Sequence, residues 1–418
     1  MGDRRRVVIT GIGSVNPLAL SWPETWPKLL AGESGIARIA KFDPVELGLT
    51  VHIAGELKGF DAANFMDARE ARRMDLFCQM AIAATREALG HAKLTIDDSN
   101  RDRIGVLYAT GVGGLETIVV TEGVRIEKGA NRVTPFAVPM LMPNAAAGQI
   151  GLIFGARGVG IALASACASS NDAMGMAWAA IRIGWADTVI TGGTEAAIVP
   201  VAVASFANMR ALTAKFNDAP EKASRPFDRD HDGFVLSEMG STLIFEEYEH
   251  ARARGAEILA EVGGYGASMD AFHITAPAPD GNGAVRAMRA ALEDAGLRPE
   301  DVDYINAHGT STPINDPTET KAIKAVFGEH AHAMPISSTK SMTGHSAGAC
   351  GAFEAAVCVS AIRDGVVPPT INFENAAPEC DLDYIPNRAR KVDVRATLSN
   401  NFGFGGHNSC VVIKRFDG

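Results

Sequence analysis

Apolar and polar positions along the 418-residue chain alternate with two different periods. Short runs rich in Val, Ile and Leu are typical of buried strands, and longer runs with an apolar residue every three or four positions are typical of amphipathic helices. The strand-like runs span residues 5–13, 102–111, 188–193, 241–249, 256–266, 302–309, 396–406 and 408–415. The helix-like runs span residues 24–32, 80–90, 283–296 and 317–328. This alternation predicts an α/β fold built from layers of helices and sheets.

Two further helix-like stretches are apolar on nearly every side. They cover residues 168–184 and 347–365 and are rich in Ala and Gly. A helix with this pattern is buried all round, and its small side chains let neighbouring elements approach closely. One such helix in each part of the chain predicts an internal duplication, with halves at residues 1–255 and 256–418. No low-complexity linker separates the halves, so we expect one compact unit.

Composition and charge narrow the class of protein. The chain is 47% hydrophobic and 21% charged, which is enough to bury a large core. Its apolar runs stay shorter than the roughly 18 residues that a membrane helix needs. The basic N-terminus followed by a β-branched run predicts a first strand rather than a secretion signal. We therefore expect a cytoplasmic protein without a membrane span. The net charge of −10 argues against nucleic acid as the main partner, because phosphate binding requires clustered positive charge.

Neither the cysteines nor the glycines predict a metal or nucleotide site. The six cysteines stand at positions 78, 167, 350, 358, 380 and 410. They form no C-x-x-C pair and no zinc-type cluster, so we expect reduced and mostly buried thiols. Gly11 and Gly13 follow the first predicted strand, but Asn16 stands where the dinucleotide fingerprint needs Gly or Ala. We therefore expect neither a metal nor a nucleotide cofactor.

Residues 344–348, Gly-His-Ser-Ala-Gly, match the G-x-S-x-G nucleophile elbow of serine hydrolases. The triad in chain order would be Ser346, then Asp381 or Asp383, then His407. An elbow serine should follow a buried strand directly, whereas the stretch before this motif is polar. The alternative role for Ser346 is a small side chain at the start of a buried helix, with its neighbour His345 as the working residue.

A second candidate nucleophile is Cys167, in IALASACASS at the predicted start of the buried helix 168–184. Backbone N–H groups and the positive end of the helix dipole should favour its thiolate form there. Two histidines lie at predicted strand-to-turn transitions, His308 in YINAHGTSTP and His345 in STKSMTGHSAG, which also holds Lys340. A thiol and nearby histidines supply a nucleophile and its base.

The last predicted hairpin contains SNNFGFGGHNS, in which glycines surround Phe402 and Phe404. Glycines of this kind let backbone N–H groups approach a reacting carbonyl, and they let a phenylalanine swing. A separate basic patch lies in a helix predicted over residues 67–89. Its Arg69, Arg72 and Arg73 should share one helix face, which is either a solvated surface or a binding surface.

Taken in order, these stretches resemble the β-ketoacyl-[acyl-carrier-protein] synthases, the condensing enzymes of fatty-acid synthesis, and most of all their type II elongation enzymes. The resemblance is carried by VVITGIGSVNPL, SACASS, SRPFDRDHDGFV, NAHGTSTP, SSTKSMTGHSAGACGA, VPPTIN and NNFGFGGHNS. These motifs cover nearly the whole chain in the family's order. The resemblance implies a thiolase-like fold, in which two pseudo-duplicated halves form a five-layer αβαβα sandwich, and a homodimer.

The resemblance also implies a decarboxylative Claisen condensation. Cys167 would take an acyl chain as a thioester from the phosphopantetheine thiol of an acyl carrier protein. Malonyl-carrier protein would then lose CO₂, and its carbanion would attack the thioester to lengthen the chain by two carbons. His308 and His345 would bind the developing enolate oxygen, and Lys340 would hold the electrostatics of the site. No metal and no cofactor are expected apart from the phosphopantetheine of the carrier.

The resemblance implies further roles for residues around the reacting centre and on the surface. They are oxyanion-hole N–H groups of Cys167 and Phe404, a gate of Phe402 and Phe404, pantetheine contacts of Thr310 and Thr312, an acyl pocket at Val112, and docking of the acidic carrier on Arg69, Arg72, Arg73, Arg132 and Arg210. Docking of this kind weakens with salt. The departures from the family pattern are Ser170, Ser237, Met239 and His407, and they leave the preferred chain length open.

Two further members of the same fold class remain as alternatives. A catalytic ketosynthase of a type II polyketide pathway would share the site and differ in its partners and pocket. A non-catalytic chain-length factor would lack the nucleophilic cysteine, which is present here as Cys167. The serine hydrolase is the remote alternative, because it leaves Cys167 and His308 without a role.

Overall fold

The computed structural model describes residues 5–418, and residues 1–4 of the predicted N-terminal half lie outside the described part. The strands are β1 (Val7–Val15), β2 (Ala37–Arg38), β3 (Ile53–Ala54), β4 (Ile104–Ala109), β5 (Gly160–Leu163), β6 (Thr188–Glu195), β7 (Met239–Glu247), β8 (Ala260–Met269), β9 (Tyr304–Asn306), β10 (Ile336–Ser337), β11 (Val366–Val367), β12 (Arg390–Lys391), β13 (Ala396–Gly403) and β14 (His407–Lys414). The helices are α1 (Trp22–Ala31), α2 (Ala68–Ala71), α3 (Leu76–His91), α4 (Leu115–Lys128), α5 (Ala137–Leu141), α6 (Ala145–Phe154), α7 (Ser169–Arg182), α8 (Pro200–Asn208), α9 (Tyr248–Ala253), α10 (Asn282–Ala295), α11 (Asn315–Phe327), α12 (Lys340–Thr343) and α13 (Cys350–Asp364).

Ten strands form one continuous sheet in the order β10-β9-β13-β14-β8-β1-β7-β6-β4-β5. Its middle is a short antiparallel seam between β1 and β8, where Val8 pairs with Glu261 and Ile9 with Ala260. Outward from β1, the pairs β1–β7 and β7–β6 are antiparallel, and β6–β4 and β4–β5 are parallel. Outward from β8, the pairs β8–β14 and β14–β13 are antiparallel, and β13–β9 and β9–β10 are parallel. The two sides therefore repeat one pattern of strand order and direction, as an internal duplication predicts.

The helices complete a layered arrangement. In the N-terminal half, α3 packs against β1 and β7 as an outer layer. In the C-terminal half, α10 packs in the equivalent way against β8 and β14. Between the two halves of the sheet lie the central helices: α7 packs against β4 and β6, α13 packs against β13, and α7 and α13 contact each other. The predicted five-layer αβαβα sandwich is thus confirmed. The predicted boundary between the halves, at residues 255 and 256, lies in the connection between α9 and β8.

The central helices are buried as their composition predicts. Every residue of α13 from Cys350 to Ile362 is buried. At Gly351 a Cβ atom would lie 2.3 Å from Oδ1 of Asn171 in α7. Because no side chain fits in that space, the glycine allows α13 and α7 to approach each other at the centre of the molecule.

The predicted continuous helix over residues 67–89 is wrong. The structure has two helices, α2 and α3, because Asp75 ends the intervening turn as the N-cap of α3. The second carboxylate oxygen of Asp75 accepts a hydrogen bond from the backbone N–H of Thr117 at 2.9 Å, which fixes the break by a tertiary contact. Arg72 and Arg73 lie in the turn, so the three arginines of this patch do not share one helix face.

The structure also bears on the predictions about membrane helices and about the cysteines. Within residues 5–418, no helix is both long enough and apolar enough to cross a membrane. All six cysteines are free thiols, and five of them are buried. The sixth, Cys167, is partly accessible.

Candidate active site

Cys167 lies in a tight turn between β5 and α7. Its neighbour Ala166 has a positive φ of 52°, which is an uncommon conformation for a residue with a side chain. Ser169 stabilises this turn, since its Oγ accepts from the backbone N–H of Ser165 at 2.8 Å and donates to the carbonyl of Ala166 at 2.6 Å. The strained turn presents the thiol to the interior rather than placing it within the helix.

His308 lies two residues after the end of β9 and is almost completely buried. Its backbone N–H donates to one carboxylate oxygen of Glu319 in α11 at 2.8 Å, and the N–H of Gly309 donates to the other, also at 2.8 Å. The imidazole rings of His308 and His345 are 5.4 Å apart at an interplanar angle of 84°. Glu319 therefore fixes the backbone that carries His308.

His345 follows α12, and its backbone N–H donates to the carbonyl of Val235 at 2.7 Å. Its Nε2 atom lies 3.0 Å from Sγ of Cys167, and its Nδ1 atom lies 3.0 Å from Sγ of Cys350. One ligand-type atom from each of Cys167, His308 and His345 lies within 4.8 Å of the others. The fold thus brings Cys167 together with two histidines that lie more than a hundred positions after it in the sequence.

Lys340 is completely buried at the start of α12 and forms an ion pair with Glu354 of α13. Glu354 also accepts a hydrogen bond from Nδ2 of Asn401 at 2.8 Å. Burial lowers the pKa of Lys340, but the carboxylate of Glu354 outweighs this effect and the pKa is raised overall, so the ammonium group stays charged. A permanent positive charge therefore lies behind the cysteine and the histidines.

The protonation states follow from burial and from this charge. Burial and the Lys340 ammonium lower the pKa of both His308 and His345 well below its usual value, so both rings are neutral. Burial raises the pKa of the Cys167 thiol to about 12, against the opposing effects of Lys340 and of the backbone N–H of Phe404. Loss of hydration therefore opposes the thiolate that the helix dipole is expected to favour. The thiol needs a base, and Nε2 of His345 is in contact with it.

The glycine-rich end of β13 packs directly on the turn that carries Cys167. A Cβ atom on Gly403 would lie 2.7 Å from the carbonyl oxygen of Ser165 and 3.0 Å from the backbone nitrogen of Cys167. The next residue, Phe404, donates its backbone N–H toward the sulfur of Cys167. The Phe402 ring lies edge-on to His308 with centroids 5.6 Å apart. Both predicted gate residues therefore border the site.

The predicted tunnel residues lie at different distances from this centre. Thr310, two residues after His308, shares a hydrogen bond of 2.9 Å with the hydroxyl of Thr312. Val112 is 40% exposed, and its backbone N–H donates to the buried carboxylate of Glu195 at 3.2 Å. The same carboxylate accepts the N–H of Gly348 at 2.9 Å, which connects the Val112 loop to the segment that follows His345.

The predicted docking residues Arg69, Arg72, Arg73, Arg132 and Arg210 are all exposed. Among residues 5–418 none of them forms an ion pair, although the Arg73 guanidinium lies 4.8 Å from the centre of the Phe136 ring. Exposed and unpaired guanidinium groups remain free to bind an acidic surface.

The hydrolase triad is not assembled. Ser346 is completely buried, and its Oγ contacts Sγ of Cys350 at 3.5 Å. Asp381 is paired with Lys324, and Asp383 with Arg390. In the described part of the chain neither acid is hydrogen-bonded to His407. Ser346 is therefore a small residue between α12 and α13, as the alternative interpretation predicts.

Sequence reasoning missed three buried carboxylates that support the site, namely Glu195, Glu319 and Glu354. A signal existed for Glu354, which is a single charge inside the otherwise apolar stretch AGACGAFEAAVCVSAI. A charge in a helix that is buried all round needs a partner. The pattern does not reveal that this partner is Lys340.

Comparison with known proteins gives consistent matches over the full length. Family models described as "Beta-ketoacyl synthase, N-terminal domain" and "Beta-ketoacyl synthase, C-terminal domain" match residues 4–251 and 259–374. The chain is 49% identical over 414 residues to 3-oxoacyl-[acyl-carrier-protein] synthase 2 of Synechocystis, covering 99% of each chain. It is 48% identical over 417 residues to the protein of the same description in Staphylococcus aureus, covering 100% of each.

Two solved structures have the same fold over nearly the whole chain. A β-ketoacyl synthase from Burkholderia phymatum superposes with a TM-score of 0.90 at 38% identity, covering 99% of this chain and 100% of its own. A type II polyketide ketosynthase, solved in complex with its acyl-carrier protein, superposes with a TM-score of 0.92 at 34% identity, with the same coverage.

Proposed function

The chain belongs to the β-ketoacyl synthase family, and on that premise we propose how its residues carry out the decarboxylative condensation of fatty-acid elongation. It is an acyltransferase of the 3-oxoacyl-[acyl-carrier-protein] synthase 2 type. The observation that carries the residue assignment is the 3.0 Å contact between Sγ of Cys167 and Nε2 of His345. His308 completes the cluster within 4.8 Å.

Acyl loading is a thioester exchange. As Sγ of Cys167 attacks the carbonyl carbon of the acyl thioester, its proton passes to Nε2 of His345. The bond between the carbonyl carbon and the pantetheine sulfur then breaks, and the departing thiolate takes up the proton. The exchange consumes no proton overall, so one neutral imidazole in contact with the thiol is a sufficient base.

Condensation begins when malonyl-carrier protein occupies the same site. The bond to the carboxylate carbon breaks, CO₂ leaves, and the electron pair forms an enolate at the thioester. The N–H groups of His308 and of His345, the latter after its proton moves from Nδ1 to Nε2, stabilise the enolate oxygen, and pre-oriented donors of this kind contribute about 10²–10³ in rate each. The enolate carbon attacks the acyl carbonyl, and the Cys167 thiolate leaves. The thiolate is then protonated again from solvent.

The carbonyl oxygen of the acyl thioester and the enolate oxygen of the malonyl thioester need separate hydrogen-bond donors. We assign the oxyanion of the acyl thioester to the backbone N–H groups of Cys167 and Phe404, because the latter already points at the sulfur. The buried charge of Lys340 favours each anionic intermediate and keeps both histidines neutral. A neutral histidine can accept a proton in loading and donate an N–H in condensation, which an imidazolium cannot do.

The pantetheine arm would reach this centre beside Thr310 and Thr312, whose hydroxyl groups face each other at 2.9 Å. Movement of Phe402 and Phe404 would separate the acyl step from the malonyl step. The acyl chain would extend toward Val112. The chemistry assigned to these residues uses no cofactor apart from the phosphopantetheine of the carrier, and we propose that none is needed.

The carrier protein is the expected macromolecular partner. A solved relative of this fold is a ketosynthase in complex with its acyl-carrier protein. We propose that an acidic carrier docks on the exposed Arg69, Arg72, Arg73, Arg132 and Arg210. Opposite charges would orient the carrier and raise its association rate. Free thiols throughout the chain fit a reducing compartment, so we place the reaction in the cytoplasm.

We further propose a homodimer that is formed through the β5 side of the molecule. β5 is an edge strand of the large sheet, and an unpaired edge of this kind is a template for pairing with another strand. Large apolar side chains are exposed on α4 and α6 of the same half, including Val120 at 58%, Ile126 at 69% and Leu152 at 77%. Sedimentation equilibrium would test this, and a monomer at micromolar concentration would contradict it.

The decisive experiment for function is mass spectrometry after the protein is mixed with acyl-carrier protein but no malonyl donor. We expect a stable acyl adduct on the peptide that contains Cys167 and no adduct in Cys167→Ala. Addition of malonyl-carrier protein should discharge the adduct as a product two carbons longer. An adduct on Ser346 with release of free acid would overturn the assignment. Comparison of saturated acyl chains with β-ketoacyl chains of equal length would then separate fatty-acid from polyketide substrates.

A further inference from the structure

The catalytic cluster has a geometry that its acyl chemistry does not require. Ligand-type atoms of Cys167, His308 and His345 lie within 4.8 Å of one another, and among residues 5–418 this is the one group of three or more such side chains that converges. Tetrahedral zinc has ligand distances of about 2.0–2.3 Å, which place two ligand atoms roughly 3.3–3.8 Å apart. Small side-chain rotations would therefore bring all three atoms onto one ion.

The donor set selects the kind of ion. One thiolate and two imidazoles suit zinc, cadmium and cobalt, whereas magnesium and calcium prefer oxygen ligands. Three protein ligands also leave a fourth position open, as in catalytic zinc sites. We propose that Cys167, His308 and His345 form a binding site for a soft divalent cation of the zinc type, and that its occupancy inhibits the enzyme.

The surroundings support such a site. The backbone that carries His308 is fixed by Glu319, and the backbone N–H of His345 is bonded to the carbonyl of Val235. Little conformational freedom therefore remains to be lost when an ion binds. The nearest buried cation, Lys340, is paired with Glu354, whose carboxylate offsets part of the repulsion between the ammonium group and a bound ion.

Binding has a defined consequence for the reaction. A bond forms between Sγ of Cys167 and the cation, and the thiol proton is released to the buffer. The ion then occupies the nucleophile and both histidines assigned to the enolate, so loading and decarboxylation stop together. Once Cys167 carries an acyl group, its thioester sulfur is a poor ligand, and the acyl-enzyme is spared. The inhibition rests on the proposed function, whereas the coordination itself does not.

Cobalt(II) is the probe, because its spectrum reports both ligand type and geometry. We expect the full-length metal-free protein to bind one equivalent, with a sulfur-to-cobalt charge-transfer band and the visible bands of a tetrahedral ion. Zinc should displace the cobalt, and magnesium should not. Cys167→Ser should abolish the charge-transfer band, and His308→Ala and His345→Ala should weaken cobalt binding by more than about tenfold. Cys380→Ala, which removes a buried free thiol elsewhere, should leave the titration unchanged.

Several outcomes would overturn the site. These are a charge-transfer band that persists in Cys167→Ser, weak octahedral bands in the unaltered protein, or a titration that does not saturate. Circular dichroism of each variant separates lost ligands from lost folding. Protein loaded beforehand with an acyl chain on Cys167 must also lose the band. The acyl adduct of the metal-free protein reports the proposed function independently, so failure of the adduct with an intact cobalt site would reject the function and keep the site.

Discussion

Nε2 of His345 lies 3.0 Å from Sγ of Cys167, while Nδ1 of the same ring lies 3.0 Å from Sγ of Cys350. The imidazole is thus held between two thiols, one at the reacting centre and one inside α13. A neutral ring carries one N–H group and one acceptor nitrogen, so it serves the two sides in opposite ways. In the proposed mechanism, this relationship gives His345 a part in acyl loading that His308, which does not contact the sulfur, lacks.

The two histidines should therefore differ on replacement. His345→Ala should slow both acyl loading and malonyl decarboxylation, whereas His308→Ala should slow decarboxylation by about 10²–10³-fold and leave loading nearly intact. Rapid-quench mass spectrometry of the Cys167 peptide measures loading, and release of labelled CO₂ measures decarboxylation. Equal loss of loading in both variants would contradict the assignment.

The Lys340–Glu354 pair should be a strong determinant of stability. Lys340→Met leaves a buried carboxylate without its partner, which costs about 3–5 kcal/mol. Replacement of both residues, as Lys340→Met with Glu354→Gln, should recover most of the free energy of unfolding but not the activity. Lys324→Met, at the exposed pair with Asp381, is the control and should cost less than about 1 kcal/mol. Urea denaturation measures all three.

The pKa of His345 should set the pH dependence of acyl loading. Burial and Lys340 lower its pKa well below 6.5, so the ring stays neutral and loading should persist below that pH. Removal of the positive charge raises this pKa, and the acid limb should therefore move to higher pH in the Lys340→Met, Glu354→Gln double variant. The rate of adduct formation on Cys167 between acid and neutral pH measures the limb. If the loading rate falls at the same acid pH in the double variant as in the unaltered protein, Lys340 does not lower the pKa of His345.

Gly403 should be intolerant of any side chain. Its Cβ atom would lie 3.0 Å from the backbone nitrogen of Cys167 and 2.7 Å from the carbonyl of Ser165, so Gly403→Ala must displace the nucleophile turn or the gate. A displacement of about 1 Å at a catalytic centre can cost 10²-fold in rate. Gly90→Ala, near the end of α3 at an exposed position where the new Cβ meets no neighbouring atom within 4 Å, is the matched control and should keep full activity. Steady-state elongation rates of the two variants decide the point.

Charge reversal at the arginines proposed for carrier docking should weaken the binding of the carrier protein and leave the rate of the chemical steps unchanged. Arg69→Glu with Arg72→Glu should raise KM for acyl-carrier protein about tenfold at low salt, with a smaller difference at high salt because exposed charges are screened. Reaction with a free acyl-pantetheine thioester should be unchanged. Arg252→Glu, in α9, is the control for a general change of charge. An equal effect on both substrates would place the arginines in a different role.

The sequence by itself determined the alternation of strands and helices, the two buried helices and the three residues that the fold brings together, Cys167, His308 and His345. Strand and helix patterns are local, because a buried strand or an all-apolar helix shows its period within ten or fifteen residues. Cys167, His308 and His345 could be found because each stands among small residues in a motif of the family. The sequence could not show that the helix predicted over residues 67–89 breaks at Asp75.

Only the tertiary structure decided the properties that depend on burial and on distant partners. Asp75 breaks a helix because Thr117, 42 residues away, bonds its carboxylate. Loss of hydration in the packed site raises the pKa of the Cys167 thiol, which opposes the thiolate that its position at the start of a helix suggested. Lys340 keeps its charge because α13 places Glu354 beside it. Charge and hydration are set by the whole environment of a group, and a local pattern records only part of that environment.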